Sequence, residues 1–184
     1  MLKNKLLFLG RFISCLFVLV TLGCTSDKTL DIPECPEVAL VGKLSEFTFF
    51  KPESPRSLND IILSGRLNGF EGDCSSLVKK GKVAQIIVNL GLTFEISKGP
   101  ENKDRTGEFK YFIAITDSSD KIIAKEIFTK DIEFKKDINK IKVFQRLEQR
   151  IPLVSGTSSK DFKIFTGFQL NSEQLNYNKL KKIY

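Results

Sequence analysis

The most regular feature of the chain is a run in which apolar residues hold every second position. Ile86, Val88, Leu90, Leu92, Phe94 and Ile96 alternate with a set that includes Gln85, Asn89, Thr93 and Glu95. A helix brings residues three and four apart onto one face, whereas a strand with one buried face keeps i and i+2 aligned. Residues 83–96 therefore predict a strand. The same period recurs along the chain. Residues 38–41 open a first strand and residues 61–70 form a second. In 109–116, Phe109, Tyr111, Ile113 and Ile115 align. Residues 122–134 predict a long strand with a break near 129–131. In 141–151, Val143, Leu147 and Ile151 point one way and Lys142, Arg146, Glu148 and Arg150 the other. Residues 160–170 complete the set with Phe162, Ile164, Phe168 and Leu170 on one face.

The breaks between these runs have turn chemistry. Residues 51–56 carry two prolines, Gly69, Gly72 and Asp73 suggest a turn before Cys74, residues 98–107 hold Gly, Pro, Asn and Asp, and Pro152 ends its strand. After the last strand, Asn171 offers an N-cap and Gln174 stands three residues on, as in a capping box, so a short helix is expected over 172–181. Seven strands without a long helical period predict an all-β fold. The expected form is a single antiparallel β-sandwich of immunoglobulin or fibronectin type over residues 35–184, with a partly closed barrel as the other arrangement.

The first residues have a different character. Lys3, Lys5 and Arg11 precede an apolar run over 12–22, and no acidic residue interrupts them. That run has the length of a secretory h-region and falls well short of the roughly 20 residues that span a bilayer as a helix. It ends in Val20-Thr21-Leu22-Gly23-Cys24, which resembles the lipobox of bacterial lipoproteins with Thr21 where Leu is usual. The expectation is a signal peptide over 1–23, cleavage after Gly23, lipid on the thiol of Cys24, and a polar tether to residue 34. Each buried methylene is worth about 0.8 kcal/mol, so one acyl chain holds only reversibly, and the two or three of a lipoprotein cysteine hold durably. In the lipoprotein pattern an Asp after the cysteine retains the protein at the inner membrane. Thr25 thus implies the outer membrane, facing the periplasm, in a bacterial cell envelope.

Composition narrows the chemistry. The chain carries 29 basic and 22 acidic residues, a formal charge of +7, and loss of Lys3, Lys5 and Arg11 with the signal leaves +4. The basic clusters at Lys79-Lys80-x-Lys82, Lys135-Lys136 and Lys181-Lys182 share no spacing. They read as solvated surface, with anionic headgroups as the other use, and give no ground for nucleic acid. There are 16 Phe, no Trp and no His. Without histidine the commonest general base, the commonest zinc ligand and the Ser-His and Cys-His pairs are all missing. Of four cysteines, Cys15 leaves with the signal and Cys24 takes the lipid. Cys35 and Cys74 remain, an even pair in an oxidising compartment, and predict a disulfide.

Several stretches also carry a resemblance. Arg146-Leu-Glu-Gln-Arg-Ile-Pro-Leu153, Gly167-Phe-Gln-Leu170 and Glu173-Gln-Leu-Asn-Tyr-Asn178 are similar to the C-terminal half of a family of uncharacterised alphaproteobacterial lipoproteins. Cys35-Pro36, Tyr111-Phe-Ile-Ala-Ile115 and Ala124-Lys-Glu-Ile-Phe128 resemble its other motifs. The family has no assigned function, so the likeness implies lipidation and carries over no catalytic residue.

Three candidates for chemistry stand out. Asp131 and Glu133, two apart on a strand, would set their carboxylates about 7 Å apart on one face, in reach of acid/base work or a calcium ion. A solvent-facing strand end accounts for the pair as well. Asp117-Ser-Ser-Asp120 has the composition of a turn and is too short for a calcium loop. Glu126 shares a face with Ile122, Ala124 and Phe128, so a core position would require a partner, which Arg146 or Arg150 could supply across neighbouring strands. No Gly-x-Ser-x-Gly elbow or glycine-rich phosphate loop occurs. The expected function is a non-enzymatic, membrane-anchored binding or structural module with an envelope protein as partner and no cofactor or metal. A small-ligand or lipid carrier and a carboxylate-based cell-wall hydrolase are the alternatives.

Overall fold

In a computed structural model of the chain, residues 34–181 are described; the expected signal segment, the expected lipid site Cys24 and the polar stretch to residue 33 lie outside them. The alternating run becomes β4, Lys82–Lys98, and its six apolar residues are all at most 3 % exposed. β4 is the spine of one sheet. It pairs antiparallel with β3, Ile61–Lys79, on one side and with β7, Lys140–Pro152, on the other. β2, Glu46–Phe50, completes that sheet beyond β3. The second sheet is built on β5, Thr106–Thr116, with β6, Ile122–Glu133, and β8, Lys163–Phe168, at its sides. β1, Glu37–Leu40, lies beside β8.

The result is an all-β sandwich with the orders β2-β3-β4-β7 and β1-β8-β5-β6. It has eight strands rather than seven, and β1 runs parallel to β8 while every other pairing is antiparallel. The stacking of two sheets is that of the immunoglobulin class, and the strand order differs from the ABED and CFG sheets of immunoglobulin domains.

Aromatic rings fill the space between the sheets. Phe94 of β4 meets Phe109, Tyr111 and Phe168 of the facing sheet at ring-centroid distances of 5.1, 4.9 and 5.5 Å. Phe47 of β2 closes the cluster edge-on against Phe168 at 4.7 Å. Offset and edge-to-face contacts of this kind are worth about 0.5–1.5 kcal/mol each beyond burial.

Several expectations change. Gly69, Gly72 and Asp73 lie inside β3, which runs on for nine residues past 70 and bulges between Leu67 and Gly69. The turn that closes the hairpin is instead Lys80-Gly81, both at positive φ, the primed geometry that suits strand twist. β6 is unbroken through 129–131. The last strand begins only at Lys163, because Ser158 and Asp161 cap a short 3-10 turn over Ser159–Asp161. The helix α1, Ser172–Lys181, starts as its box predicts. Asn171 N–H donates to Gln174 Oε1 and Gln174 N–H to Asn171 Oδ1, both at 2.9 Å.

Candidate functional site

Cys24, the expected lipid site, lies outside the described residues. Cys35 and Cys74 come together. Cys35 precedes β1, Cys74 sits within β3, and with Cα atoms 5.6 Å apart they form a disulfide. This separation falls in the usual 4.4–6.8 Å range. Because β1 and β3 belong to different sheets, the bond ties the two layers where the chain enters the domain.

The carboxylate candidates are dispersed. Asp131 and Glu133 are exposed on the edge strand β6, where Asp131 faces Glu108 and Glu133 faces Thr106 across the ladder. Neither lines the two surface clefts described below, and among the described residues no group of three His, Cys, Asp or Glu stands close enough to hold a metal ion. Asp117 serves its own turn. Its Oδ1 accepts the Ser119 hydroxyl at 2.6 Å and the amides of Ser119 and Lys121 at 2.9 and 3.1 Å. These bonds, the Ser119 side chain first, hold its carboxyl below the usual range.

Glu126 is not in the core. It lies opposite Ile113 but on the edge strand, where the facing sheet does not cover it, and is exposed. The two arginines offered as partners belong to the other sheet, where Arg150 pairs with Glu148 at 2.6 Å and Arg146 lies over the Phe144 ring. Glu126 does act on Tyr111. Burial first, and that carboxylate second, push the Tyr111 phenol above its ordinary value.

Two surface clefts stand out among the described residues. One, about 480 Å³, lies between β2, residues 51–56 and α1. Phe50 meets Tyr177 edge-on at 4.9 Å on its floor, and an Arg56–Glu173 ion pair spans its rim. The other, about 450 Å³, is a trough on the outer face of the β2–β7 sheet between Glu71, Asp73, Asn89 and Arg146. Gly91 forms its floor, since a Cβ there would stand 2.7 Å from the Phe144 ring. Both are open and lined mainly by polar side chains. They suit contact with another surface more than enclosure of a small molecule. Neither was foreseen from the sequence. The first depends on Phe50 meeting Tyr177 across more than a hundred residues, and no local pattern reports that.

The basic clusters are also separated. Lys79, Lys80 and Lys82 surround the β3–β4 turn, Lys135 and Lys136 lie in the β6–β7 loop at the opposite end, and Lys181 ends α1 beside Glu46 at 3.1 Å.

Comparison with protein-family models, with curated proteins and with solved structures finds no match to this chain.

Proposed function

We propose that this chain is an envelope lipoprotein, held on a membrane through acylated Cys24, whose β-sandwich binds a protein or another envelope component and performs no chemistry. One observation carries the reading. A basic segment and an apolar run of h-region length end in Gly23-Cys24, and only ten residues separate that cysteine from Cys35. The Cys35–Cys74 pair suits an oxidising compartment such as the periplasm. Thr25 after the cysteine favours the outer membrane.

The ring cluster of Phe47, Phe94, Phe109 and Phe168 occupies the middle of the sandwich, where a carrier would need its cavity. Dispersal of Asp131, Glu133, Asp117 and Glu126 favours binding over hydrolysis. The clefts beside α1 and over Gly91 are the surfaces offered to a partner.

Growth with a radiolabelled fatty acid tests the anchor. Cys24→Ala should abolish the label on the protein and leave its precursor uncut, and label persisting on the variant would overturn the assignment. Cross-linking of the lipidated protein in its own envelope, followed by mass spectrometry, should return a specific partner lost in variants of the two clefts. Release of soluble fragments from purified cell wall would instead establish a hydrolase.

A further inference from the structure

We propose that the tip of the β3–β4 hairpin is a lipid-contact element that rests on the anionic headgroups of the membrane holding the protein. The inference builds on the anchor reading above and adds which end of the domain meets the bilayer.

The register sets the geometry. β1 runs from the disulfide toward Leu40, and the chain beyond Leu40 meets β3 near Leu67, where Leu67 N–H donates to the Ser45 carbonyl. β3 runs the opposite way along the sandwich, from Leu67 past Cys74 to Lys79. The hairpin turn therefore lies on the side of the disulfide from which the chain arrives. It stands five residues past Cys74, about 17 Å at strand rise. β7 stops at Pro152, opposite Gln85, so the tip projects past its neighbour as a two-stranded finger.

Reach then selects an end. Ten residues separate Cys24 from Cys35, and a fully extended chain of that length spans at most roughly 36–40 Å. The far end of β4, ten residues from Val88 to Lys98, is about 34 Å from the disulfide before its loop is added. That end would meet the membrane only with the tether pulled nearly straight, while the hairpin tip lies within reach of a slack one.

The tip has the matching chemistry. Lys79 faces Lys82 directly across the ladder and Lys80 sits in the turn itself, which puts three ammonium groups on four consecutive residues. No carboxylate of the described residues lies within ion-pairing distance of any of them. Like charges opposite each other destabilise a hairpin, and a surface of anionic headgroups removes that repulsion. Apolar side chains flank the charges. Leu77 is 37 % exposed, and Val154, 68 % exposed, follows Leu153, whose amide bonds the Ala84 carbonyl at 3.0 Å. Lysines around exposed apolar residues are the composition of an interfacial element, with the apolar atoms entering the headgroup boundary and the ammonium groups meeting phosphate.

The test uses the lipidated protein, purified in detergent and reconstituted on vesicles of phosphatidylcholine alone or of phosphatidylcholine mixed with phosphatidylglycerol. A water-soluble amine reagent labels the lysines, and mass spectrometry reads each one. Lys103 and Lys136, at the opposite end, serve as internal controls. Lys79, Lys80 and Lys82 should react at least about threefold more slowly than on neutral vesicles, relative to the controls, and molar salt should abolish the difference. Equal rates on the two vesicles would overturn the inference, as would protection seen only in native membranes, which would assign the tip to a protein partner. Fatty-acid content is measured on the same sample. A chain without acyl groups removes the anchor reading and this inference together, whereas an acylated chain with an indifferent tip removes this inference alone.

Discussion

Single residues at the junction of helix and sandwich carry more than their local sequence announces. Asn178 is buried, and its Nδ2 donates to the carbonyls of Lys43 at 3.0 Å and Glu46 at 2.7 Å. Glu46 opens the edge strand β2 and Lys43 lies in the short 3-10 turn before it, so this one amide caps a carbonyl from each. Asn178→Ala should strand both and cost about 1–3 kcal/mol in urea unfolding; an unchanged midpoint would mean that water replaces the amide freely. Glu46 belongs to the same junction. Burial works against its charge, but a hydrogen bond from Lys181, that group's charge and the Arg66 guanidinium outweigh burial and hold the carboxyl below its ordinary value. A carboxylate depressed in the folded state stabilises above its unfolded pKa, and that stability fades as pH falls through the folded value. Glu46→Gln should therefore be less stable than the parent at neutral pH and approach it as the pH falls through the depressed folded value. Thermal melts of both proteins across that range check the sign, and a gap that widens in acid would refute it. None of these contacts was legible in the sequence, because Asn178 and Glu46 stand 132 residues apart.

Among the elements, β4 was legible from period two alone, because both its neighbours and the facing sheet use the same side of it. That face fixes a contrast. Leu90 and Leu92 are at most 1 % exposed, while Asn89 and Thr93 point to the outer face and are only half-buried. Leu90→Ala or Leu92→Ala should cost roughly 2–5 kcal/mol. Thr93→Ala should do little, and Asn89→Ala should lose only its exposed bond to Asp73. Equal losses in denaturant unfolding would show that the outer face is covered as well. α1 was legible too, since its capping box is a local device. The distal half of β3 was not. Its glycines read as a turn, but at Gly72 a side chain would run into the Asn89 backbone of the neighbouring strand, so the residue marks a close approach inside the sheet. β2 was missed because Phe49 and Phe50 end it with two adjacent apolar residues, and the ladder shifts there to fit both. Glu126 misled for a related reason. Periodicity assigns a side chain to a face, and only the sheet order shows that β6, at the edge, extends beyond the layer that would have buried it.

At the scale of the whole molecule, the disulfide decides how firmly the start of the domain is fixed to the sandwich, and under the proposed anchor it would decide how the domain bears load. Pulling from Cys24 would load the chain at Cys35, and without the bond the load would pass directly to β1, a four-residue strand at the edge of its sheet. Cys74 moves that load to β3, which pairs along much of its length with β4. The bond closes a loop of 39 residues, worth about 3–4 kcal/mol in the chain-entropy model. For a domain of this size each kcal/mol shifts the melting temperature by about 2–4 °C. Reduction, or the double variant Cys35→Ser/Cys74→Ser, should therefore lower the transition by about 6–16 °C in calorimetry. The variant should also show faster amide exchange in β1 before any change in β4, since an edge strand released at one end frays first. A transition that does not move on reduction would mean that packing of Pro36 and Val38 alone fixes the entry point. Exchange rising equally in β1 and β4 would mean that the sandwich unfolds as one unit and that the bond protects all of it rather than its attachment.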